Sequence, residues 1–141
     1  MRLNKDCVRD VLLYIESHCV YEDVDYETHT QHKVSFKEIC DAEELVEYDI
    51  EDLRYTVEQM MDAKYVKGTT IPKDSWIGFR YAYIESLTML GHDLLDNIRP
   101  DTVWQKTKKA LDRIGDFSLN FMSGVASSTM IEYIKSMANI K

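Results

Sequence analysis

Residues 50–98 have the sequence IEDLRYTVEQMMDAKYVKGTTIPKDSWIGFRYAYIESLTMLGHDLLDNI, and this stretch decides the fold. In residues 50–63, apolar side chains recur every three or four positions, which predicts an amphipathic helix. Two β-branched and aromatic segments follow, at residues 65–69 and 76–85, and the Gly, Pro and Asp residues between them predict a turn. A helix followed by a two-stranded hairpin is typical of the second half of a winged helix-turn-helix. We therefore predict a mostly α (α+β) fold in which this hairpin is the β wing.

The preceding segments complete the helix-turn-helix prediction. Asn4 is a suitable N-cap for a first helix with apolar residues at helical spacing. Residues 35–38 (SFKE) match a capping box and predict a short second helix. Residues 43–48 then form the turn, and Asp49 is a suitable N-cap for the third helix. Between the first two helices, the acidic and aperiodic residues 21–31 are expected to form an exposed loop.

A C-terminal helical extension follows the wing. Thr88 is the expected N-cap of a helix that ends before Pro100, and two further helices follow it. The predicted division is a winged-helix domain of residues 1–99 and a helical tail of residues 100–141. The last helix carries no charge from Phe117 to Ile131, and its wide apolar stripe predicts either packing on the core or pairing with a second copy in a homodimer. Leu119 and Ala126 belong to this stripe, and its candidate dimerisation residues are Phe117, Phe121, Met122, Val125, Met130, Tyr133, Ile134 and Met137.

Three further segments carry a family resemblance: residues 1–12 (MRLNKDCVRDVL), residues 87–99 (LTMLGHDLLDNIR), and residues 103–108 (VWQKTK) with the helix over 115–128. In this order they resemble a family of uncharacterised winged-helix-like proteins found in Gram-positive bacteria and their phages. They span nearly the whole chain, and GHDLLDNIR is the most specific part. The resemblance implies the winged fold and a phage or prophage source, but no activity, because none is established for the family.

Lys64 departs from the pattern of similar winged domains, which usually carry Gly directly after the third helix. A left-handed backbone conformation costs Lys about 1 kcal/mol relative to Gly. We therefore expect the local turn at Lys64 to differ.

Charge is distributed unevenly along the chain. Residues 1–98 contain 10 Lys or Arg against 21 Asp or Glu, whereas residues 99–141 contain 7 against 4. The third helix has five acids and one Arg between residues 49 and 62. Base reading in DNA uses Arg, Lys, Asn and Gln, and carboxylates that face phosphates are repelled. These charges fit either the solvated face of a structural helix or a docking surface for a basic protein, and we predict that this acidic face recognises a protein partner. This face comprises Glu51, Asp52, Tyr55, Glu58 and Asp62.

The alternative is a DNA-binding transcriptional regulator that contacts phosphates through the wing and a basic tail helix. Basic residues alternate with aromatic residues in the wing, a composition that can bind nucleic acid, although aromatic strands also serve packing. A second positive cluster follows Trp104. The candidate contacts are Arg54, Lys67, Lys73, Arg80, Lys106, Lys108, Lys109 and Arg113.

A second alternative is a metal-dependent protein. His29 and His32 lie beside Asp25 and Glu27, and imidazoles with nearby carboxylates can bind a divalent ion. The spacing is loose and no Cys accompanies it, so we expect no metal and no other cofactor. Scattered glycines form no phosphate-binding loop, and the sequence contains no nucleophile elbow or HExxH motif, which favours a non-enzymatic binding module.

The remaining composition indicates a cytoplasmic protein. Cys7, Cys19 and Cys40 form no CxxC pair and fit a reducing compartment. No cationic and apolar leader opens the sequence, and no uncharged apolar run reaches the ~20 residues that cross a bilayer. We expect no membrane partner and no small-molecule substrate.

Overall fold

The computed structural model describes residues 1–72 and 78–139. This part of the chain contains six α-helices and two small antiparallel sheets, which confirms the mostly α (α+β) prediction. The helices are α1 (Lys5–His18), α2 (Phe36–Asp41), α3 (Ile50–Asp62), α4 (Met89–Ile98), α5 (Asp101–Ile114) and α6 (Leu119–Ala138). The strands are β1 (Tyr21–Glu22), β2 (Thr30–Gln31), β3 (Val34–Ser35), β4 (Val66–Ile71) and β5 (Tyr81–Leu87). Lys73, Trp76 and Ile77 of the predicted wing lie outside the described residues.

The larger sheet has the strand order β3-β5-β4, so β5 lies between the strand before α2 and the strand after α3. Val34 of β3 pairs with Ile84, and a β-bulge directly after Lys67 interrupts the pairing of β4 with β5. At the bulge the strands come so close that a Cβ on Gly68 would lie 2.3 Å from the Tyr83 carbonyl oxygen. Glycine is therefore required at this position by close backbone approach.

Helix α3 ends in a left-handed turn at Lys64, whose φ is 65°. The Tyr65 amide donates to the Met60 carbonyl (2.9 Å), and the Lys64 amide donates to the Met61 carbonyl (3.3 Å). These two bonds define a Schellman motif, the helix end that glycine favours. The expectation of a different turn at Lys64 is therefore wrong: the lysine adopts the glycine-like conformation, and β4 starts directly after the helix.

The start of α4 holds this turn in place. The Thr88 amide donates to the Tyr65 carbonyl (3.1 Å), and the Thr88 hydroxyl donates to the Lys64 carbonyl. The same hydroxyl caps α4 by accepting from the Gly91 amide (3.3 Å), and a Cβ on Gly91 would lie 2.2 Å from the Tyr65 carbonyl oxygen. The Tyr65 hydroxyl donates to Asn120 Oδ1 (2.9 Å), so one turn connects α3, β4, α4 and α6.

One hydrophobic core contains residues from all six described helices, with α1 packed against α3, β5 and α4. The tail helices contribute to this same core through Trp104, Leu111, Leu119, Met122 and Ala126. Two ion pairs also join α1 to α5: Lys5 Nζ lies 2.6 Å from Asp112 Oδ1, and Lys108 Nζ lies 3.5 Å from Asp6 Oδ1. None of the described helices combines the length and apolar character needed to span a bilayer.

Helix caps agree largely with the prediction. Asn4, Ser35 and Thr88 each accept a hydrogen bond from the backbone N–H three residues later, which confirms them as N-caps. Asp49 precedes α3 in extended conformation but makes no side-chain cap bond, so this prediction is wrong in its detail. The Glu38 side chain, expected to complete the capping box, accepts instead from the Tyr14 hydroxyl (2.7 Å).

Other predictions are corrected at the ends of elements. Helical spacing predicts that Ile50, Leu90 and Ile114 face the core, but all three are exposed, and each lies in the first or last turn of its helix. The strands β4 and β5 end two residues later than predicted. The exposed segment 21–31 contains the short hairpin β1–β2, which its aperiodic sequence did not predict.

The close contact at Gly91 predicts that Gly91→Ala lowers the free energy of unfolding by about 1–3 kcal/mol, although alanine favours helix, because the added Cβ meets the Tyr65 carbonyl. Urea denaturation measures this loss. Gly124→Ala in α6 is the matched control: nothing lies within 4 Å of its Cβ, and the substitution should gain about 0.5–1 kcal/mol. Equal stability of the two variants would contradict the packing described at Gly91.

The left-handed turn predicts that Lys64→Gly raises the free energy of unfolding by up to about 1 kcal/mol, because glycine adopts this conformation without steric cost. Calorimetry should show a higher Tm than for the wild type. Lys67→Gly, three residues later in β4, is expected to lower the Tm because glycine weakens strands. If Lys64→Gly also lowers the Tm, the turn does not have this geometry.

Candidate functional site

The acidic face consists of Glu51, Asp52, Tyr55, Glu58 and Asp62 on the outer side of α3. The opposite side of the helix packs on α1, α2 and β4. Glu51 and Asp62 are exposed, and the other three residues are half-buried. All five therefore reach the surface, but only the two residues near the ends of the helix are exposed rather than half-buried.

Arg54 is the one basic residue of α3, and its guanidinium is engaged within the protein. Its Nη1 donates to the Phe79 carbonyl oxygen (2.6 Å) and to Glu58 Oε1 (3.3 Å). The guanidinium carbon lies 4.3 Å from the ring centroid of Phe79 and 5.4 Å from that of Phe36. Glu58 Oε1 also lies so near Gly78, whose φ is 92°, that a Cβ there would be 2.8 Å away. This arrangement fastens α3 to the segment that leads into β5.

Asp52 and Tyr55 lie on the other flank of α3, towards the N-terminus of the chain. Asp52 Oδ2 accepts from Asn4 Nδ2 (3.3 Å), so this carboxylate also supports the N-cap of α1. Tyr55 packs against the core and lines a cavity of about 360 Å³ together with Leu3 and Phe117. Contacts on both flanks thus fix the half-buried members of the acidic face.

A larger groove of about 680 Å³ lies between α3 and the β4–β5 hairpin. Its lining includes two acidic residues, Glu58 and Asp62, and two basic residues, Lys64 and Lys67. Apolar side chains form its floor; they include Met61, Val66 and Phe79. The groove therefore adjoins the acidic face but has mixed charge of its own.

The basic residues of the hairpin have acidic or aromatic neighbours. Lys67 Nζ lies 4.0 Å from Glu85 Oε2, and Lys33 Nζ lies 3.4 Å from Glu85 Oε1. Arg80 is exposed, with its guanidinium carbon 5.8 Å from the Tyr81 ring centroid. Lys73 lies outside the described residues.

The basic residues of α5 separate into two groups. Lys108 is half-buried, pairs with Asp6 and lies 5.4 Å from the Trp104 ring centroid. Lys106, Lys109 and Arg113 are exposed. Helix α5 packs on α4 and α6, and its exposed cations lie on a different element from those of the hairpin.

The two histidines of the metal hypothesis have separate partners. His29 packs edge-on against Tyr21, with ring centroids 4.9 Å apart, and His32 Nε2 lies 2.8 Å from Glu38 Oε1. Asp25 Oδ1 accepts from the amides of Glu27 and Thr28, which lowers the pKa of its carboxyl. Within residues 1–72 and 78–139, no three His, Cys, Asp or Glu side chains come together as a metal site.

The apolar stripe of α6 divides into a packed part and an open part. Met122 is fully buried within the chain, so its prediction as a dimerisation residue is wrong: the stripe first packs on α4 and α5. Phe117, Val125, Met130 and Tyr133 are half-buried, whereas Phe121, Ile134 and Met137 are exposed. Ile131, which was not predicted as part of the stripe, is also exposed.

One surface was missed by the sequence reasoning. The β1–β2 hairpin exposes Tyr21, Val24 and Tyr26 among acidic residues, and Tyr26 is 96% exposed. The signal for this surface in the sequence was the presence of apolar residues within an acidic segment that has no helical or strand period.

The three cysteines are free thiols. Burial raises the pKa of Cys7 to about 11, so this thiol is a poor nucleophile near neutral pH.

The family model described as Hypothetical protein (DUF2513) matches residues 2–116. No curated protein and no solved structure matches the chain. The match spans α1 to α5 and stops before α6, and it confirms the resemblance to an uncharacterised family at that level. Because the matched residues make up most of the sequence, the protein belongs to the DUF2513 family of hypothetical proteins.

Proposed function

We propose that this protein is a non-enzymatic winged-helix binding module that recognises a basic protein partner through the acidic face of α3. The observation that carries the proposal is the position of Arg54. Its guanidinium contacts the Phe79 carbonyl and two phenyl rings, so the positive charge of α3 is held against the hairpin. Glu51 and Asp62 of the acidic face are exposed.

The order of the elements supports the winged-helix interpretation. A short strand lies between α1 and α2, a turn separates α2 from α3, and β4 and β5 follow α3 directly. In this arrangement α3 occupies the place of the recognition helix, and the β4–β5 hairpin is the wing. The element that would enter a DNA groove is therefore the one that exposes carboxylates.

Electrostatics favours a protein over DNA as the partner. Each carboxylate held near a phosphate costs roughly 1–4 kcal/mol at contact, depending on the local dielectric, and salt only partly screens it. A basic protein surface reverses the sign of this interaction and gains association rate and specificity from complementary charge. The exposed cations on α5 and the hairpin support the alternative function, DNA binding. The experiment described below distinguishes the two functions.

The proposal also includes the source of the protein and the compartment in which it acts. The sequence resemblance supports a phage or prophage source in Gram-positive bacteria, and the three free cysteines support a cytoplasmic location. A partner in the host cell, bound to alter transcription or defence, is consistent with both.

The proposal predicts that Glu51→Lys/Asp62→Lys weakens binding of the partner. Capture from a lysate of cells that express the protein, quantified by mass spectrometry, should identify a basic protein held by the wild type. Purified with this variant, that protein should bind roughly tenfold more weakly, because two attractive charges become repulsive. Glu27→Lys/Asp93→Lys makes the same change in net charge at exposed sites elsewhere and should bind like the wild type.

Duplex DNA is the second probe of the same experiment. Fluorescence anisotropy should detect no binding at ~0.15 M salt and none at lower salt, where phosphate contacts are strongest. Tight, salt-dependent DNA binding that Lys106→Glu/Lys109→Glu abolishes would replace the proposal with the DNA-binding alternative. Equal capture of the partner by both double variants would also overturn it.

A further inference from the structure

The last turns of α6 form an apolar face that residues 1–72 and 78–118 do not cover. In the first turns, Leu119, Met122 and Ala126 are fully buried against the core. Further along, Ile131 is 51%, Ile134 is 56% and Met137 is 53% exposed. Isolated apolar residues at a surface are ordinary, but neighbouring ones on successive turns mark an interaction face.

The spacing of these residues fits a helix-pairing seam. Met130, Ile134 and Met137 follow one another at intervals of four and three, the pattern of core positions in a coiled coil. Ile131 flanks the seam on one side, and half-buried Tyr133 flanks it on the other. The seam therefore continues over about two helical turns beyond the part of α6 that packs on the core.

The charges of α6 restrict which partner suits this face. Glu132 and Lys135 are the only charged residues of the helix, and helical spacing places both away from the seam. A basic or acidic partner finds no complementary charge there. A membrane surface is also disfavoured, because interfacial helices carry several Lys or Arg on their polar side. An uncharged apolar face is complementary to itself, and a symmetric dimer requires such a surface.

We propose that a second copy of this chain covers the seam, with the distal turns of the two α6 helices packed antiparallel. The body of residues 1–98 contains 10 Lys or Arg against 21 Asp or Glu, so two bodies repel each other. A parallel pair would place them side by side. In the antiparallel pair they lie at opposite ends of an overlap of residues 127–139, which is ~20 Å long.

The size of the contact sets the strength of the dimer. An overlap of two helices over so few residues lies at the small end of protein interfaces, below the roughly 800 Å² per partner of stable complexes. The dimer is therefore weak and reversible, and it forms at high protein concentration. This contact is separate from the acidic face on α3.

Sedimentation velocity over a protein concentration range of ~10 μM to ~1 mM tests the proposal. The wild type should shift from monomer to dimer, and Ile134→Glu should remain monomeric because it buries a charge in the seam. Ser136→Glu is the matched control: it adds the same charge two residues later on the opposite side of the helix, and it should dimerise. Ile134 and Ser136 are both exposed, so thermal unfolding of the two variants should agree.

Several results would overturn the dimer. These are a wild type that stays monomeric throughout, an Ile134→Glu variant that dimerises like the wild type, or a monomer that binds phosphatidylglycerol vesicles through Ile134. Small-angle scattering of the dimer should give an elongated particle with the bodies apart; a compact particle would contradict the antiparallel packing. Glu51→Lys/Asp62→Lys should dimerise like the wild type, so failure of the acidic-face proposal leaves this test unaffected.

Discussion

The placement of Arg54 is the interaction on which the surface chemistry of this protein depends. Its guanidinium donates to a backbone carbonyl at residue 79 and lies over two phenyl rings that pack edge to face, 5.1 Å apart. These contacts join α2, α3 and the segment that leads into β5. The same contacts hold the positive charge of α3 against the hairpin and beside Glu58, with the Arg54 side chain 36% exposed. Structural support of the hairpin and the acidic character of α3 therefore have one common cause.

Much of the fold could be predicted from local signals. The N-caps at Asn4, Ser35 and Thr88 are short-range hydrogen-bond patterns, and a sequence of four residues contains them completely. The amphipathic spacing of α1 and α3 likewise depends only on neighbours along the helix. The strand β3 could not be predicted this way, because two residues acquire strand geometry only by pairing with β5, about fifty residues later.

The candidate site was less predictable, because composition determines how many charges a segment has but not which of them are free. The sequence places Arg54 among the candidate DNA contacts, but its partner Phe79 lies 25 residues away in sequence. Lys108 was taken as part of a basic cluster, and its partner Asp6 is at the other end of the chain. The sequence presents the apolar stripe of α6 as one surface, but α4 and α5 pack against only its first part and leave the rest exposed. In each case a contact between residues far apart in sequence decides whether the side chain is available at the surface.

The free energy of unfolding of Arg54→Met tests the central claim most directly, because methionine keeps apolar contact with the rings but cannot donate to the Phe79 carbonyl. If the guanidinium is engaged as described, urea denaturation should show a loss of about 1–2 kcal/mol. Arg80→Met, at an exposed arginine of the hairpin, should change stability by less than about 0.5 kcal/mol. An Arg54→Met variant as stable as the wild type would mean that Arg54 is free to contact a ligand, and the account of an acidic α3 surface would be wrong.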